Sequence, residues 1–547
     1  MVERSLVEPL KNDYDITEIN SRYSIIHISV DNFYMCVLGT YPYHIFPSLY
    51  ILDSYIGLEK SGVSAVQYNA NLALFGQGVI IGFIDTGIEY QHEAFLHIDG
   101  TTRLQSIWDQ TIETGNPPEG FTLGSEYSRD IINLALQNEN PLSVVPSTDE
   151  NGHGTMMAGI AAGSSNDIDD FSGVAPEAEL VMVKLAPAKP YNKKIFQVPE
   201  EILCYPESNI LLGIEYIRSV AERLKRPYVI CLGMGSSQGD HDGHSAIATT
   251  LNTMSSFPRT AICVSAGNEG NNRRHHRGQI AEGQRFQEFE MRVDNKDRSF
   301  SVEIWQSSPS RLAISVVSPS GERVPDISPG FNECRMHNFV MESSKIIINN
   351  IIIEEETGEQ LILIRFEDVL NGIWRFRMIN IDNIACQFDA WLPAGNLISP
   401  DTYFLVPDPY ITITSPGNAR NPITATAYNQ LNNSILMASS RGFSAGTTVL
   451  PDIAAPGYAL TCPIISKTNT STYGNTTGTG AAAAHTAGIA AMLLEWAVIK
   501  GNYTTITGRD ISRLMIRGAR RESNIVYPNP VWGYGQIDIL GVFRSLT

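Results

Sequence analysis

Short apolar runs alternate with amphipathic stretches along much of this chain. Continuous apolar runs predict buried strands at 78–88, 178–186, 227–236 and 260–270. The segments 207–225 and 244–256 instead have the 3.6-residue period of helices. Because apolar strands alternate with helices, we expect an α/β fold with a parallel sheet that helices cover on both faces.

The pattern changes to a period of two over residues 280–393. About eight strands are expected there, which predicts an all-β sandwich or jelly roll. The α/β pattern returns near 410 with YITITSPG and PITATAYN, and it continues through PDIAAPG to a helix at 508–520. The β unit is therefore predicted to be inserted within the α/β domain.

The first 56 residues form a separate leading unit. The runs 23–30 and 34–40 predict strands, and a proline-bearing extended tail follows them. This unit is too small for a stable core of its own, so we expect it to pack on the rest of the chain.

The charge balance excludes several classes of partner. The 547 residues carry a net charge of −19, which argues against nucleic acid and anionic membrane surfaces as partners. The basic run NNRRHHRG at 271–278 is the local exception, and we interpret it as a solvated loop. The charged N-terminus does not resemble a signal peptide, and no apolar run reaches the ~18 residues of a transmembrane helix.

The cysteine pattern indicates free thiols. Seven cysteines are scattered along the chain, and none forms a CxxC pair. An odd, scattered set fits buried thiols in a reducing compartment better than it fits a disulfide framework.

Four segments carry the candidate chemistry. Asp85 ends a buried strand in FIDTG, His153 opens a helix in NGHGT, Asn268 follows a strand in AGNEG, and Gly480 stands in TGTGAAAAH. In a serine-based acyl transfer, a buried carboxylate orients an imidazole, and the imidazole takes the proton of the serine. A side-chain amide can stabilise the oxyanion that then forms. The expected fourth group, a serine hydroxyl, has no counterpart at Gly480.

These segments resemble the subtilase family of subtilisin-like serine proteases. Asp-Thr-Gly, His-Gly-Thr, Ala-Gly-Asn and the Gly-Thr-Gly before an alanine-rich helix occur in the family's order. The resemblance extends to PDIAAPG and to the ending YPNPVWGYGQID. It implies the family's parallel sheet with helices on both faces. By the same resemblance, Asp85 and His153 hold the acid and base positions, Asn268 the oxyanion position, and Gly480 the nucleophile position.

The inserted β unit narrows the resemblance to the Csp group, the germination subtilases of clostridial spores. That group implies a small α+β prodomain and a jelly-roll insertion in the protease fold. The chain is then divided into a prodomain (1–56), a subtilisin-like domain (57–279 and 394–547) and a jelly-roll domain (280–393). The leading unit is shorter than expected for the group.

Gly480 decides what activity we expect. Without a nucleophile the chain should be a pseudoprotease, and it should not cut off its own prodomain. The prodomain tail, near 47–57, would then stay in the substrate cleft. Thr477 and Thr479 are the nearest hydroxyls, but Thr479 is one residue away, so its side chain should point elsewhere.

The resemblance implies a role in spore germination. The chain would sense a small germinant, or relay that signal, to an active sister protease that activates a cortex-hydrolase zymogen. It would be made in the mother-cell cytoplasm and packed into the spore. No cofactor and no metal are expected; DHDG at 240–243 lacks the spacing of a calcium loop. Two alternatives stay open: an active endopeptidase with a relocated nucleophile, and a structural or chaperone-like spore component.

Overall fold

The computed structural model describes residues 2–3, 15–20, 22–27, 45–52, 59–166, 168–169, 171–446, 448–466 and 471–546. Within these ranges the chain forms a large mixed sheet with helices on both faces, an antiparallel β sandwich, and small N-terminal sheets. The predicted strand at 34–40 lies outside the described residues.

The large sheet contains, in spatial order, β25 (Ser434–Ile435), β24 (Ile423–Asn429), β12 (Thr260–Ser265), β10 (Tyr228–Leu232), β5 (Ile80–Asp85), β8 (Glu179–Lys184), β6 (Leu104–Asp109) and β7 (Ser125–Ser128), and β26 (Ile453–Pro456) also pairs with β24. The pairings among its central strands are parallel, whereas β7 and β25 are antiparallel to their neighbours.

Alternate residues of each central strand enter two separate cores. In β5, Ile81 and Phe83 pack with the alanine-rich helix, whereas Ile80 and Ile84 pack with the helix that crosses the other face. A strand that is apolar at every position is therefore buried on both sides. The predicted α/β fold is confirmed.

Helices in the described residues begin and end close to the predicted positions where a prediction was made. They are α1 (Val63–Gln67), α2 (Arg129–Leu136), α3 (His153–Ala162), α4 (Pro190–Ile195), α5 (Glu207–Leu224), α6 (Ala246–Met254), α7 (Thr479–Leu494), α8 (Gly508–Gly518) and α9 (Ile539–Leu546). A π-helical turn, Glu495–Ile499, extends α7. Short 3₁₀ turns lie at Glu59–Ser61, Glu93–Phe95, Pro141–Ser143 and Gly395–Leu397.

The segment Thr479–Ile499 is long and apolar enough to cross a membrane by length and composition alone. However, 83% of its most apolar window is buried inside the protein, as expected for a core helix. It packs against β10, β12, β24 and α3. The start of α7 is thereby held rigidly at the carboxyl edge of the sheet.

The β unit is a sandwich of two antiparallel sheets around a common core. The six-stranded sheet contains, in spatial order, β13 (His275–Ile280), β22 (Cys386–Trp391), β15 (Phe300–Gln306), β20 (Gln360–Glu367), β19 (Lys345–Ile351) and β18 (Cys334–Asn338). The five-stranded sheet contains β17 (Arg323–Ile327), β16 (Leu312–Val317), β21 (Gly372–Asn380), β14 (Phe286–Val293) and β23 (Tyr403–Phe404). These strands extend beyond the predicted range 280–393 at both ends.

The basic run at 271–278 is not the solvated loop that we predicted. Arg274, His275 and His276 are buried, and the two histidines begin β13. The Arg274 guanidinium donates to the carbonyl oxygens of Gly395 (2.6 Å) and Ile398 (3.1 Å). Polar residues can be buried when such partners exist, and the local sequence does not reveal those partners.

Three smaller sheets complete the described part of the chain. β1 (Val2–Glu3), β3 (Tyr23–His27) and β2 (Asp15–Glu18) form an N-terminal antiparallel sheet, which confirms the strand predicted from residue 23. β27 (Leu460–Ile464) and β28 (Thr472–Thr476) pair with each other. β4 (Leu49–Leu52) lies between β11 (Met234–Gly235) and β9 (Tyr205–Pro206).

The cysteines follow the prediction only in part. Free thiols occur at Cys204, Cys231, Cys263, Cys386 and Cys462. Cys334 instead takes part in a disulfide bond, which the spacing of the cysteines did not predict. Cys36 lies outside the described residues.

Candidate active site

The site lies at the carboxyl edge of the large sheet. β5 ends at Asp85, and the segment that carries Asn268 follows the end of β12. Parallel strands present their carboxyl ends at one edge, which is where open α/β folds bind ligands. His153 is the first residue of α3, and Gly480 is the second residue of α7. All four positions therefore belong to strand ends or helix starts.

Asp85 and His153 form a buried hydrogen-bonded pair. The His153 Nδ1 atom lies 2.7 Å from Oδ1 and 2.9 Å from Oδ2 of Asp85. The two side chains are almost completely buried. A carboxylate at Nδ1 holds the imidazole in the orientation in which Nε2 faces away from it, as a general base requires.

The backbone around this pair requires glycine. A Cβ atom on Gly154 would lie 2.1 Å from the Gly87 carbonyl oxygen, so α3 begins directly against the loop that follows Asp85. Gly152, which precedes the helix, has a φ of +90°, a left-handed conformation that glycine adopts without steric cost. The glycines in FIDTG and NGHG thus bring the acid and the base together.

A second carboxylate, Asp149, fixes the same loops. It accepts hydrogen bonds from the Thr86 hydroxyl (2.8 Å), the Gly152 amide (2.8 Å) and both the amide and the hydroxyl of Thr155 (2.9 and 2.7 Å). The Thr86 hydroxyl in turn accepts from the Gly154 amide (2.9 Å). The sequence analysis missed Asp149, which lies three residues before the N-cap Gly152 and therefore outside the ordinary capping position.

Asn268 is held by the start of α7. Its Oδ1 atom accepts hydrogen bonds from the Thr479 amide and the Thr479 hydroxyl, both at 3.2 Å. Because these contacts engage the oxygen, the amide nitrogen lies at the opposite end of the planar group, as an oxyanion donor requires. Thr479 is fully buried, and its hydroxyl also accepts from the Gly267 amide (3.1 Å). This confirms that the Thr479 side chain is directed elsewhere.

Gly480 follows Thr479 in the first turn of α7 and is buried. The position is fixed by the packing of α7, yet it offers no side-chain atom to a substrate. Among the residues that the structure describes, no group of three or more His, Cys, Asp or Glu side chains is placed to hold a metal ion. The site therefore combines an oriented base and an amide with no hydroxyl at position 480.

A strand of the N-terminal part pairs with two short strands of the α/β domain. β4 runs antiparallel to β11, with Leu52 opposite Met234, and antiparallel to β9, with Leu49 opposite Pro206. Protein strands commonly bind an extended peptide by such strand addition. The predicted tail began near 47, and the part at 53–57 lies outside the described residues.

The comparison with protein families agrees with this arrangement. The profile described as the Subtilase family matches residues 76–318 and 409–535, which is more than half of the chain. The chain is 30% identical over 126 residues to the subtilisin-like protease SBT2.2 of Arabidopsis thaliana, and 26% identical over 180 residues to SBT3.6 of the same plant. These matches cover 20% and 29% of this chain but only 15% and 21% of the two relatives.

A solved structure matches over a much larger part. The CspB protease of Clostridium perfringens aligns with 89% of this chain and 96% of its own chain, with a TM-score of 0.78 and 27% sequence identity. The alignment spans too much of the chain to be confined to the α/β domain. The fold is therefore subtilisin-like, as predicted.

Proposed function

Because the chain belongs to the subtilase family, we propose that it is a pseudoprotease of that family that acts by binding rather than by cleavage. The observation that carries this proposal is Gly480, a residue without a side chain at the position that the family motif assigns to the nucleophile. Removal of the serine costs about 10⁶-fold in kcat in subtilisin, itself a member of the family. A loss of that size leaves no useful protease activity.

The retained Asp85–His153 pair does not contradict the proposal. A general base accelerates acyl transfer only when it receives a proton from a positioned nucleophile. The hydroxyl of Thr479, the residue that precedes position 480, is engaged with Asn268 and the Gly267 amide. We therefore assign Asp85, His153 and Asn268 a structural role in the site.

The proposed domain organisation follows from the same reasoning. Residues 1–56 would be a prodomain that stays attached, since the chain has no nucleophile to cut it. The pairing of β4 with both β9 and β11 supports this view. A strand that stays covalently attached to the chain would remain bound there and block the substrate cleft. The parts 57–279 and 394–547 would form the subtilisin-like domain, and the sandwich would be the jelly-roll insertion at 280–393.

We further propose that the protein regulates spore germination. It would sense a small germinant, or relay that signal, to an active sister protease, which activates a cortex-hydrolase zymogen. The extensive similarity to a clostridial Csp protease supports this role. The protein would be made in the mother-cell cytoplasm and packed into the spore with its partner.

The intact mass of the purified chain tests the proposal directly. Wild type and Gly480→Ser should be produced under identical conditions in a host that lacks the sister protease. We expect wild type to be full length and the serine variant to lose about 55 N-terminal residues, a length set by the proposed domain boundary. The double variant Gly480→Ser/His153→Ala is the matched control and should remain full length.

Two results would change the conclusion. If wild type itself is shortened at that junction, and His153→Ala prevents the cleavage, the chain is an active protease with another nucleophile. If all three proteins are full length, the pseudoprotease assignment holds, but the frame around position 480 no longer supports acylation.

A further inference from the structure

Positive charge is concentrated on α8 and the residues directly after it. Five arginines lie within residues 508–521, although the chain as a whole carries a net charge of −19. All five side chains are exposed to solvent. We call this set the basic face; its members are Arg509, Arg513, Arg517, Arg520 and Arg521.

Three of these arginines form a row along the helix. Arg509, Arg513 and Arg517 recur at every fourth residue, so they lie on one side of α8, about 6 Å apart along its axis. Ile511 and Met515, on the other side, are buried in the core of the α/β domain. The apolar side of α8 is therefore already used for folding, and the row of arginines is the side that a partner can reach.

The basic face has no counter-charge of its own. Among the described residues, no carboxylate forms an ion pair with any of its five arginines, whereas exposed arginines of the sandwich are paired, as Arg298 is with Asp368 (3.0 Å). Asp510, the acidic residue of α8, accepts hydrogen bonds from the amide (3.0 Å) and the hydroxyl (2.7 Å) of Thr507 and serves as a cap. Because like charges four residues apart on a helix repel each other, bound carboxylates would relieve that repulsion.

A short apolar patch adjoins the basic face. We give this name to segment 525–527, an isoleucine, a valine and a tyrosine. Its first and last side chains pack on the cluster that contains Tyr428 and Trp532, and Val526 between them is 85% exposed. Arg520 lies close enough to Tyr428 to act on it electrostatically. Arginine beside aromatic and apolar surface is a composition that protein interfaces favour.

The charge distribution selects the kind of partner. Guanidinium groups form paired hydrogen bonds with carboxylates and phosphates. A nucleic acid or an anionic membrane presents negative charge over a wide area and would repel the acidic remainder of the chain. A short acidic segment of a protein would contact the basic face alone.

We propose that the basic face and the apolar patch together form a docking surface for an acidic segment of a partner protein. The carboxylates of that segment would lie on the row of arginines, and a neighbouring apolar side chain would pack on Val526. The inference goes beyond the proposed pseudoprotease role and does not depend on it.

Binding can be measured on the full chain by fluorescence anisotropy at low salt. The probe is a labelled oligoglutamate peptide that ends in leucine and phenylalanine. We expect saturable binding to wild type, and Arg513→Gln/Arg517→Gln should weaken it at least about tenfold, since charge-assisted hydrogen bonds are lost. Arg285→Gln/Arg298→Gln removes two exposed arginines of the sandwich and changes the net charge equally. This matched control should leave the affinity unchanged, and Tm values of both double variants verify their folding.

The apolar patch is tested separately. Val526→Ser should weaken binding of the complete peptide but not of oligoglutamate without the apolar end, because only the first peptide can cover the valine. Raising the KCl concentration should weaken both complexes with wild type, because salt screens the arginines. If the apolar end adds no affinity for wild type, the apolar patch is not part of the docking surface.

Three results would overturn the proposal as a whole. An equal loss of affinity in the two double variants would show that binding follows net charge and not the basic face. Tighter binding of duplex DNA or of phosphatidylglycerol vesicles, abolished by Arg513→Gln/Arg517→Gln, would show that the partner is not a protein. The absence of saturable binding of the peptide at low salt would show that the surface does not dock acidic segments.

Discussion

The imidazole of His153 is held 2.7 Å from the Asp85 carboxylate, in a site where residue 480 is a glycine and carries no side chain. A single substitution at position 480 can test whether this imidazole still works as a base. The frame around the pair is rigid, because α3 and α7 are both packed into the core of the large sheet.

We therefore expect Gly480→Ser to create a reactive serine. The variant should be labelled by a fluorophosphonate probe, whereas wild type should not, because the Asp85–His153 pair can activate a hydroxyl placed at position 480. Gly480→Ser/His153→Ala should lose the labelling, and Gly480→Ala should not gain it. The measurement is the labelling rate by gel or mass spectrometry. Labelling of wild type would reveal a nucleophile elsewhere and contradict the pseudoprotease assignment.

The position of the site could be predicted from the sequence, but the hydrogen bonds that hold its loops in place could not. FIDTG and NGHGT place Asp85 and His153 at a strand end and a helix start, and the structure agrees. Asp149 was missed, because its four hydrogen bonds depend on where the loops meet in space. The segment YITITSPG alternates like a strand, yet it makes only an isolated bridge from Ser415 to Ser236. Whether such a segment becomes a strand depends on pairing partners that lie far away in the sequence.

Leu49, in β4, packs against both the sandwich and the α/β domain. It is fully buried and packs in the same cluster as residues of the sandwich and of the α4 region. Leu49→Ala should destabilise by about 2–5 kcal/mol, the range for a buried leucine. Tm and the rate of trypsin cleavage within the first 60 residues measure the effect. Leu134→Ala, at an exposed position on α2, is the control. A change no larger than that control would show that β4 is loosely bound.

Glu495 anchors the end of α7 to the loop before β5. Its buried carboxylate accepts hydrogen bonds from the amides of Phe75, Gly76 and Gln77, at 2.8, 2.8 and 3.2 Å. Glu495→Gln removes the charge that strengthens these bonds, and we expect a loss of about 1–3 kcal/mol. Glu222→Gln removes a surface carboxylate and should cost at most about 1 kcal/mol. Thermal unfolding of both variants measures the two losses of stability. Equal decreases in Tm would contradict the anchoring role of Glu495.

Asp452 is a buried carboxylate that lowers stability at alkaline pH. Burial raises its pKa from 3.8 to about 7. Since the folded state holds its proton more tightly than the unfolded state, stability is fully present below about pH 4 and is lost as pH rises to about 7. Asp452→Asn removes this loss and can keep the bond from the Thr424 amide (2.9 Å). We expect the variant to gain Tm relative to wild type at pH 8 but not at pH 4.5. An equal difference at both pH values would contradict the assignment.

His485 has the opposite dependence on pH. It is fully buried in α7, its Nε2 atom lies 2.7 Å from the Ser61 hydroxyl, and burial lowers its pKa from 6.5 to about 3. Between pH 6.5 and 3 only the unfolded state binds this proton, so stability falls as the pH decreases. At pH 5 the effect amounts to about 2 kcal/mol, from about 1.4 kcal/mol for each pH unit below 6.5.

The variant His485→Gln should therefore lose less Tm than wild type between pH 7.5 and pH 5. Ser61→Ala removes the hydroxyl partner without removing the titrating group. It should lower Tm at both pH values and keep the wild-type dependence on pH. Scanning calorimetry of the three proteins at the two pH values separates these effects. If His485→Gln and wild type lose the same Tm on acidification, the proton that destabilises the fold is bound at another residue.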